Sequence, residues 1–130
     1  MKKVGLILGI ILIIILATGI GLFAWMTNSA EKARDALVFE DIDMNQVADG
    51  VYYGEADGGF VQVKVEVEVA DHRIAGIKIL EHKNGKGSAA EGITESMIAE
   101  NRYDVEAVSG ATYSSEVIKS GVSKALKEGY

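Results

Sequence analysis

The segment whose residue types could bind an anion is Ser109-Gly110-Ala111-Thr112-Tyr113-Ser114-Ser115, which places four serine and threonine residues and a glycine where a loop becomes a helix. The first turn of a helix has N–H groups without intrahelical acceptors and carries about half a positive charge. A phosphate ester is stabilised at such a place. The same hydroxyls also suit ordinary capping, in which Thr112, Ser114 or Ser115 satisfies the first turn. From the residues alone, a phosphate site and a plain helix cap both stay open.

Two features upstream are further candidates for contacts with a ligand. Gly85-Lys86-Gly87 could wrap a ring or a phosphate, with Lys86 offsetting charge, or could form a plain turn. His82 could contact a ligand or transfer a proton, or could be a hydrogen-bonded surface residue. Tyr113 is the tyrosine best placed to stack on a flat ring. The chain has no cysteine and shows no metal-ligand cluster, so we predict neither a metal site nor a catalytic residue.

A strand pattern lies ahead of these candidates. Valines alternate with polar residues from Val61 to Val69, the period of two that is typical of a strand with one buried face. Asp71-His72-Arg73 predicts a turn, and Ile74 to Glu81 predicts a second strand that pairs with the first as an antiparallel hairpin. Val51 to Glu55 follows the break at Asp49-Gly50 and predicts a third strand.

Two amphipathic helices are predicted after the strands. One runs from Ser88 to Asn101, and a C-terminal one runs from about Ser114 to Lys127. Strands followed by helices indicate an α+β fold, a small antiparallel sheet packed with two helices.

The start of the chain predicts a membrane span. No charged residue occurs from Val4 to Met26, and a helix of that length covers roughly 34 Å against a hydrocarbon core of about 30 Å. Lys2 and Lys3 predict a cytoplasmic N-terminus. A cleaved signal peptide is the alternative, but its apolar region usually has about 7–15 residues. We therefore expect a single-pass anchor in the cell membrane, with the remaining chain extracytoplasmic.

These patterns divide the chain into a cytoplasmic end and anchor (residues 1–26), a juxtamembrane spacer (27–41) and a folded domain (42–130). Asn28 followed by Glu31 resembles a capping box, and residues 30–39 predict a short helix that could extend from the span. Beyond residue 26 there are 11 basic and 19 acidic residues. This acidic balance argues against nucleic acid as a partner.

The heptad from Ser109 to Ser115 resembles the signature of the FMN-binding domain family, which includes flavin-carrying subunits of the sodium-translocating NADH:quinone reductase and of the Rnf complex. Three further stretches resemble the same family. They are an opening strand at Asp49-Gly50-Val51-Tyr52-Tyr53-Gly54, a valine-rich hairpin from Val61 to Leu80, and a glycine-bearing loop at Glu81-His82-Lys83-Asn84-Gly85-Lys86-Gly87. The resemblance covers the chain from about Ile42 onwards.

The resemblance implies an FMN cofactor joined by a phosphoester to Thr112, through a separate Mg-dependent flavin transferase that uses FAD. It also implies that the loop of residues 85–87 lies near the cofactor. We therefore predict a cofactor site formed by residues 109–115, His82 and residues 85–87. The chain departs from the family pattern at one position, since Glu106 stands where an aspartate usually precedes the threonine by six residues, and Asp104 lies two residues earlier. We expect an electron-transfer flavoprotein that serves membrane or extracellular redox partners. The alternative is an anchored interaction module of the same fold without a cofactor.

Overall fold

The computed structural model describes residues 1–35, 37–59, 61–83 and 88–130, and for residues 30, 31, 33, 34 and 88 it describes only the backbone. Two compact units are present, residues 1–32 and residues 33–130. The predicted divisions at residues 26 and 41 stay predictions.

The apolar N-terminal segment forms one long helix, α1 (Lys2–Asp35). Its stretch Lys2–Ser29 contains an 18-residue window with a mean hydropathy of 3.0 and is long and apolar enough to cross a membrane. The hydroxyl of Thr18 donates to the Ile14 carbonyl at 2.8 Å, which satisfies a polar group that lipid could not. Because α1 continues through Asn28, the capping-box pattern does not begin a new helix; the predicted extension beyond the span is present as far as Asp35.

The sheet has three antiparallel strands in the order β1-β2-β3: β1 (Gly50–Asp57), β2 (Gln62–Ala70) and β3 (Arg73–Lys83). Asp71 and His72 form the two-residue turn between β2 and β3, and both have positive φ values of 53° and 58°. Such turns match the right-handed twist of paired strands. The predicted hairpin and third strand are therefore confirmed.

The valine alternation has the predicted consequence. Val63, Val65, Val67 and Val69 are almost completely buried on the inner face of β2, while the residues between them face outward. Two irregularities in the pairing with β3 interrupt this regularity, one between Lys64 and Val65 and the other between Glu68 and Val69.

In the described part of the chain, three helices follow the sheet: α2 (Ser88–Glu91), α3 (Ile93–Glu100) and α4 (Thr112–Lys127). The helix that the sequence predicts over residues 88–101 is divided at Gly92, and α4 begins two residues earlier than predicted. The α+β fold, a small antiparallel sheet with helices after an apolar N-terminal helix, is confirmed.

Helix α4 is the centre of the core and is covered from two sides. It lies across β1 and β2, and the closest approach is between Gly54 and the Gly121 carbonyl, where a Cβ on Gly54 would clash. On the other side runs the segment 37–43, here called the strap. Ser120 Oγ donates to the Val38 carbonyl at 2.6 Å, and the Glu40 N–H donates to Ser123 Oγ at 3.3 Å. Residues 37–41 thus take part in the packing of the second unit.

Candidate functional site

The hydroxyl segment begins α4, and its first helical residue, Thr112, is exposed. Ala111 occupies the N-cap position, and no side chain forms a capping hydrogen bond there within the described part of the chain. The preceding turn is closed by a hydrogen bond from the Ala111 N–H to the Val108 carbonyl at 3.0 Å. Gly110 has a φ of +79°, and open space lies where its Cβ would be. The start of α4 is therefore accessible and short of side-chain acceptors.

The two serines that follow Tyr113 are both buried. Ser115 Oγ donates to the Ala111 carbonyl at 2.7 Å and accepts from the Val108 N–H at 3.0 Å. These bonds fasten the incoming turn to the helix but leave the first-turn N–H groups of α4 without a side-chain acceptor among the described residues, so Ser115 is not the predicted helix cap. Ser114 is also buried. Of the hydroxyl residues in the segment, Ser109 and Thr112 are the exposed ones.

Tyr113 is half-buried and packs against the core at the start of α4. A Cβ on Gly58 would lie 3.1 Å from the Tyr113 hydroxyl oxygen and 2.6 Å from a methyl of Val117. The absence of a side chain at Gly58 thus lets the chain pass close to this tyrosine.

These contacts show which end of the sheet lies under the start of α4. Gly54 of β1 approaches Gly121, and Gly58, just after β1, approaches Tyr113. Helix α4 therefore runs antiparallel to β1, with Thr112 at the end where β1 and β3 finish. The loop with Gly85, Lys86 and Gly87 follows β3 directly, and those residues lie outside the described part of the chain.

His82 lies at the same end of the sheet and faces inward. Val65 pairs with Ile79, whereas Lys64 pairs with Glu81, so Leu80 is an extra residue in β3. Such a bulge reverses the alternation of the strand. As a result Glu81 faces outward and His82 lies opposite Val63 on the inner face.

The environment of His82 differs from that of a surface histidine. Its side chain is only 6% exposed, and Nδ1 lies 3.4 Å from Glu91 Oε1 of α2. Nε2 is buried and has no hydrogen-bond partner among the described residues. The interpretation of His82 as a surface residue is therefore wrong. The sequence pattern did not show this, because it marks neither the bulge at Leu80 nor the contact with Glu91.

An ion pair holds the segment that leads into Thr112. Lys119 of α4 has a side chain only 10% exposed, and its ammonium lies 3.0 Å from Asp104 Oδ1 and 3.7 Å from Glu116 Oε1. Asp104 is thus engaged with the helix, while Glu106 is exposed. Sequence reasoning noted both acidic residues but missed Lys119, because a lysine within an amphipathic helix is usually solvated.

A cavity of about 480 Å³ lies between the strap region and the end of α3, away from Thr112. Its lining includes the carboxylates of Asp41, Asp43 and Asp104, with Arg102 as the basic side chain. Burial raises the pKa of the neighbouring Tyr103 phenol, and the charge of Asp104 raises it further. This acidic lining disfavours a phosphate group, so the cavity does not compete with the start of α4 as a phosphate site.

A model of the FMN-binding domain family matches residues 58–127, which is more than half of the chain. The chain belongs to the FMN-binding domain family. FMN is accordingly its cofactor. A comparison with solved structures found no match to the chain.

The residues at this end of the FMN-binding domain fit a flavin nucleotide. An exposed hydroxyl at Thr112 and an uncapped helix start suit the phosphate, and Gly110 leaves room beside them. The Nε2 of His82, buried and without a partner in the part of the chain that the structure describes, supplies an acceptor or a donor for a polar group. The matched region contains both features, and the structure brings them to one end of the sheet.

Proposed function

We propose that this chain is a membrane-anchored electron carrier whose FMN is joined through its phosphate to Thr112 Oγ1. The observation that carries the proposal is the contrast in burial within one helical turn. Thr112 is exposed, whereas Ser114 and Ser115 are buried. An enzyme that modifies the folded domain can reach Thr112 but not its two neighbours. Ser109, the other exposed hydroxyl, lies outside the helix and three residues earlier.

The attachment reaction balances as a phosphoryl transfer. The Thr112 oxygen attacks the flavin-side phosphorus of FAD, the pyrophosphate P–O bond breaks, AMP leaves, and the hydroxyl proton passes to a base of the transferase. The product is a phosphodiester with one negative charge at the start of α4. The helix dipole favours that charge by about 0.3–1 kcal/mol at an exposed position. Gly110 and Ala111 keep side-chain bulk away from the diester.

When bound, FMN supplies the exchange of one or two electrons, and the protein supplies tethering and environment. The domain has little room for a second nucleotide, and no Gly-x-Gly-x-x-Gly sequence follows a strand. We therefore propose a carrier that accepts electrons from a membrane redox protein and passes them to another carrier or to an extracellular acceptor. Turnover of a soluble donor without any partner protein would contradict this and would support a reductase.

The anchor in this proposal is α1, with Lys2 and Lys3 in the cytoplasm and the flavin domain outside. The chain has no cysteine, so a single Glu128→Cys variant can report the topology. We expect a membrane-impermeant maleimide to label this exposed position on intact protoplasts. Labelling that appears only after lysis would show that the domain is inside the cell, and an intact mass that lacks α1 would show cleavage.

The covalent link is tested by producing the chain with and without a flavin transferase and measuring its intact mass. We expect a gain of one FMN, located on Thr112 by peptide mass spectrometry. Thr112→Ala should abolish the gain, and Ser109→Ala is the matched control that should keep it. FMN that maps to Ser114 or Ser115, or that persists in Thr112→Ala, would refute the assignment. A wild-type chain without any flavin absorbance would favour the interaction module.

A further inference from the structure

We infer that His82 is a flavin-binding residue whose Nε2 accepts a hydrogen bond from FMN, with Glu91 fixing the imidazole for that purpose. This inference rests on the proposed function, because it requires FMN at the end of the sheet that carries Thr112. It assigns a specific atom and a specific direction of hydrogen bonding to the site.

The backbone of β3 points His82 inward. With regular alternation after Ile79, Glu81 would face the core and His82 would face solvent. The extra residue at Leu80 reverses this, so that Glu81 faces solvent and His82 faces the core. Bulges of this kind commonly occur beside functional sites, where they redirect a side chain. Here the bulge places an imidazole, rather than a carboxylate, on the inner face of the sheet, at the end where α4 begins.

Glu91 determines which imidazole nitrogen is available. A carboxylate can only accept a hydrogen bond, so Nδ1, 3.4 Å from Glu91 Oε1, must carry the hydrogen that faces it. In the neutral imidazole Nε2 then presents a lone pair. That atom is buried and without a partner among the described residues. A buried acceptor without a donor is unfavourable, and a bound ligand that offers a donor removes the penalty.

FMN offers two kinds of donor that suit this acceptor: the ring N3–H and the hydroxyls of the ribityl chain. Both belong to the same molecule whose phosphate the proposed function places on Thr112. His72, the other histidine of the chain, serves as the contrast. It lies in the turn at the opposite end of β3, where its Nδ1 lies 3.1 Å from the Val47 carbonyl oxygen.

The test uses the full chain in lipid nanodiscs, produced without a transferase and titrated with FMN at pH 8. We expect His82→Phe to weaken FMN binding about tenfold, the effect of one lost hydrogen bond in a buried site. His82→Gln, which retains an acceptor, should lose less. Glu91→Leu should weaken binding about threefold by releasing the ring, whereas Glu91→Gln retains an acceptor for Nδ1–H. His72→Phe should bind FMN as the wild type does.

The ring and ribityl donors are separated with 3-methyl-FMN, which lacks N3–H. If N3–H is the donor, the wild type should bind 3-methyl-FMN more weakly than FMN, whereas His82→Phe should bind the two flavins equally. Equal losses in both proteins assign the bond to a ribityl hydroxyl. In the flavinylated chain, His82→Phe should also shift the flavin absorbance spectrum and midpoint potential, with His72→Phe unchanged.

Failure of this inference can be distinguished from failure of the proposed function. A wild type that takes FMN, together with a folded His82→Phe variant of equal affinity, spectrum and potential, overturns this inference alone. A wild type that takes no FMN, free or attached, overturns the proposed function and this inference with it. Circular dichroism establishes that the His82 variants are folded before either conclusion is drawn.

Discussion

Removing either partner of the ion pair between Lys119 and Asp104 should have unequal effects on stability, because the two charges differ in burial. The Lys119 side chain is 10% exposed, whereas that of Asp104 is 75% exposed. Asp104→Asn removes the nearer carboxylate and leaves a buried ammonium whose remaining carboxylate partner among the described residues is Glu116, at 3.7 Å. Lys119→Met removes the buried charge and leaves a carboxylate that water already solvates.

The magnitude follows from that asymmetry. Breaking a fully buried pair by removing one partner costs about 3–5 kcal/mol. Because Asp104 is mostly exposed and Glu116 remains, we expect Asp104→Asn to lower the free energy of unfolding by about 1–2 kcal/mol. In a domain of 60–100 residues, a loss of 1 kcal/mol lowers Tm by about 4–8 °C. Lys119→Met should be neutral or stabilising by about 1 kcal/mol, since an apolar side chain of similar length fills the site.

The assay is thermal unfolding of the full chain in nanodiscs, followed by circular dichroism. Glu116→Gln is the matched control, because it removes the more distant carboxylate and should lower Tm less than Asp104→Asn. If Lys119→Met lowers Tm more than Asp104→Asn does, the buried charge is not the unfavourable partner and the argument is wrong.

Four other changes have definite expected outcomes. Gly54→Ala should destabilise the domain by about 3 kcal/mol or prevent folding, measured by thermal unfolding, because its Cβ would clash with the Gly121 carbonyl. Ser115→Ala should cost about 1–3 kcal/mol, measured in urea, because the Val108 N–H loses its acceptor; an unchanged midpoint would contradict this. Burial raises the pKa of the Tyr103 phenol, and the charge of Asp104 raises it further. The neutral phenol therefore stabilises the fold fully below about pH 10, and this stabilisation is lost as the pH rises through the folded-state pKa. Tyr103→Phe should therefore show less loss of Tm between pH 9 and 11. Glu106→Asp should raise the flavinylated fraction at limiting transferase, read by intact mass, because it restores the usual family residue while Asp104 stays paired with Lys119.

Local patterns predicted those parts of the fold that local forces decide. The valines of β2 alternate because one face of the strand is buried, and the turn at Asp71-His72 lies where polar residues separate two such runs. The uncharged N-terminal run and the α4 apolar stripe are equally visible. Thr112 was found through the family signature, since a helix cap and a phosphate site have the same residue types.

The features that the sequence did not show depend on partners far along the chain. The bulge at Leu80 arises where the strand must fit a neighbour, so no local propensity marks it. The inward orientation of the His82 side chain follows from that bulge. Gly92 is a weak helix former, but a single glycine does not by itself divide a helix, so the break there was not predicted. The strap meets α4 through pairs about eighty residues apart, such as Val38 with Ser120, and nothing in so short a segment indicates such a distant partner.

The strap also determines where the folded domain can be separated from the apolar helix α1. Beyond the bonds to Ser120 and Ser123, the Glu40 carbonyl accepts from the Tyr103 hydroxyl at 2.7 Å, which joins the strap to the loop after α3. A soluble fragment that starts at residue 42 would lose this cover and expose one side of α4 to water. One that starts at about residue 33 would keep it. The apolar helix α1 can therefore be replaced or removed without uncovering α4 only by a change upstream of Leu37.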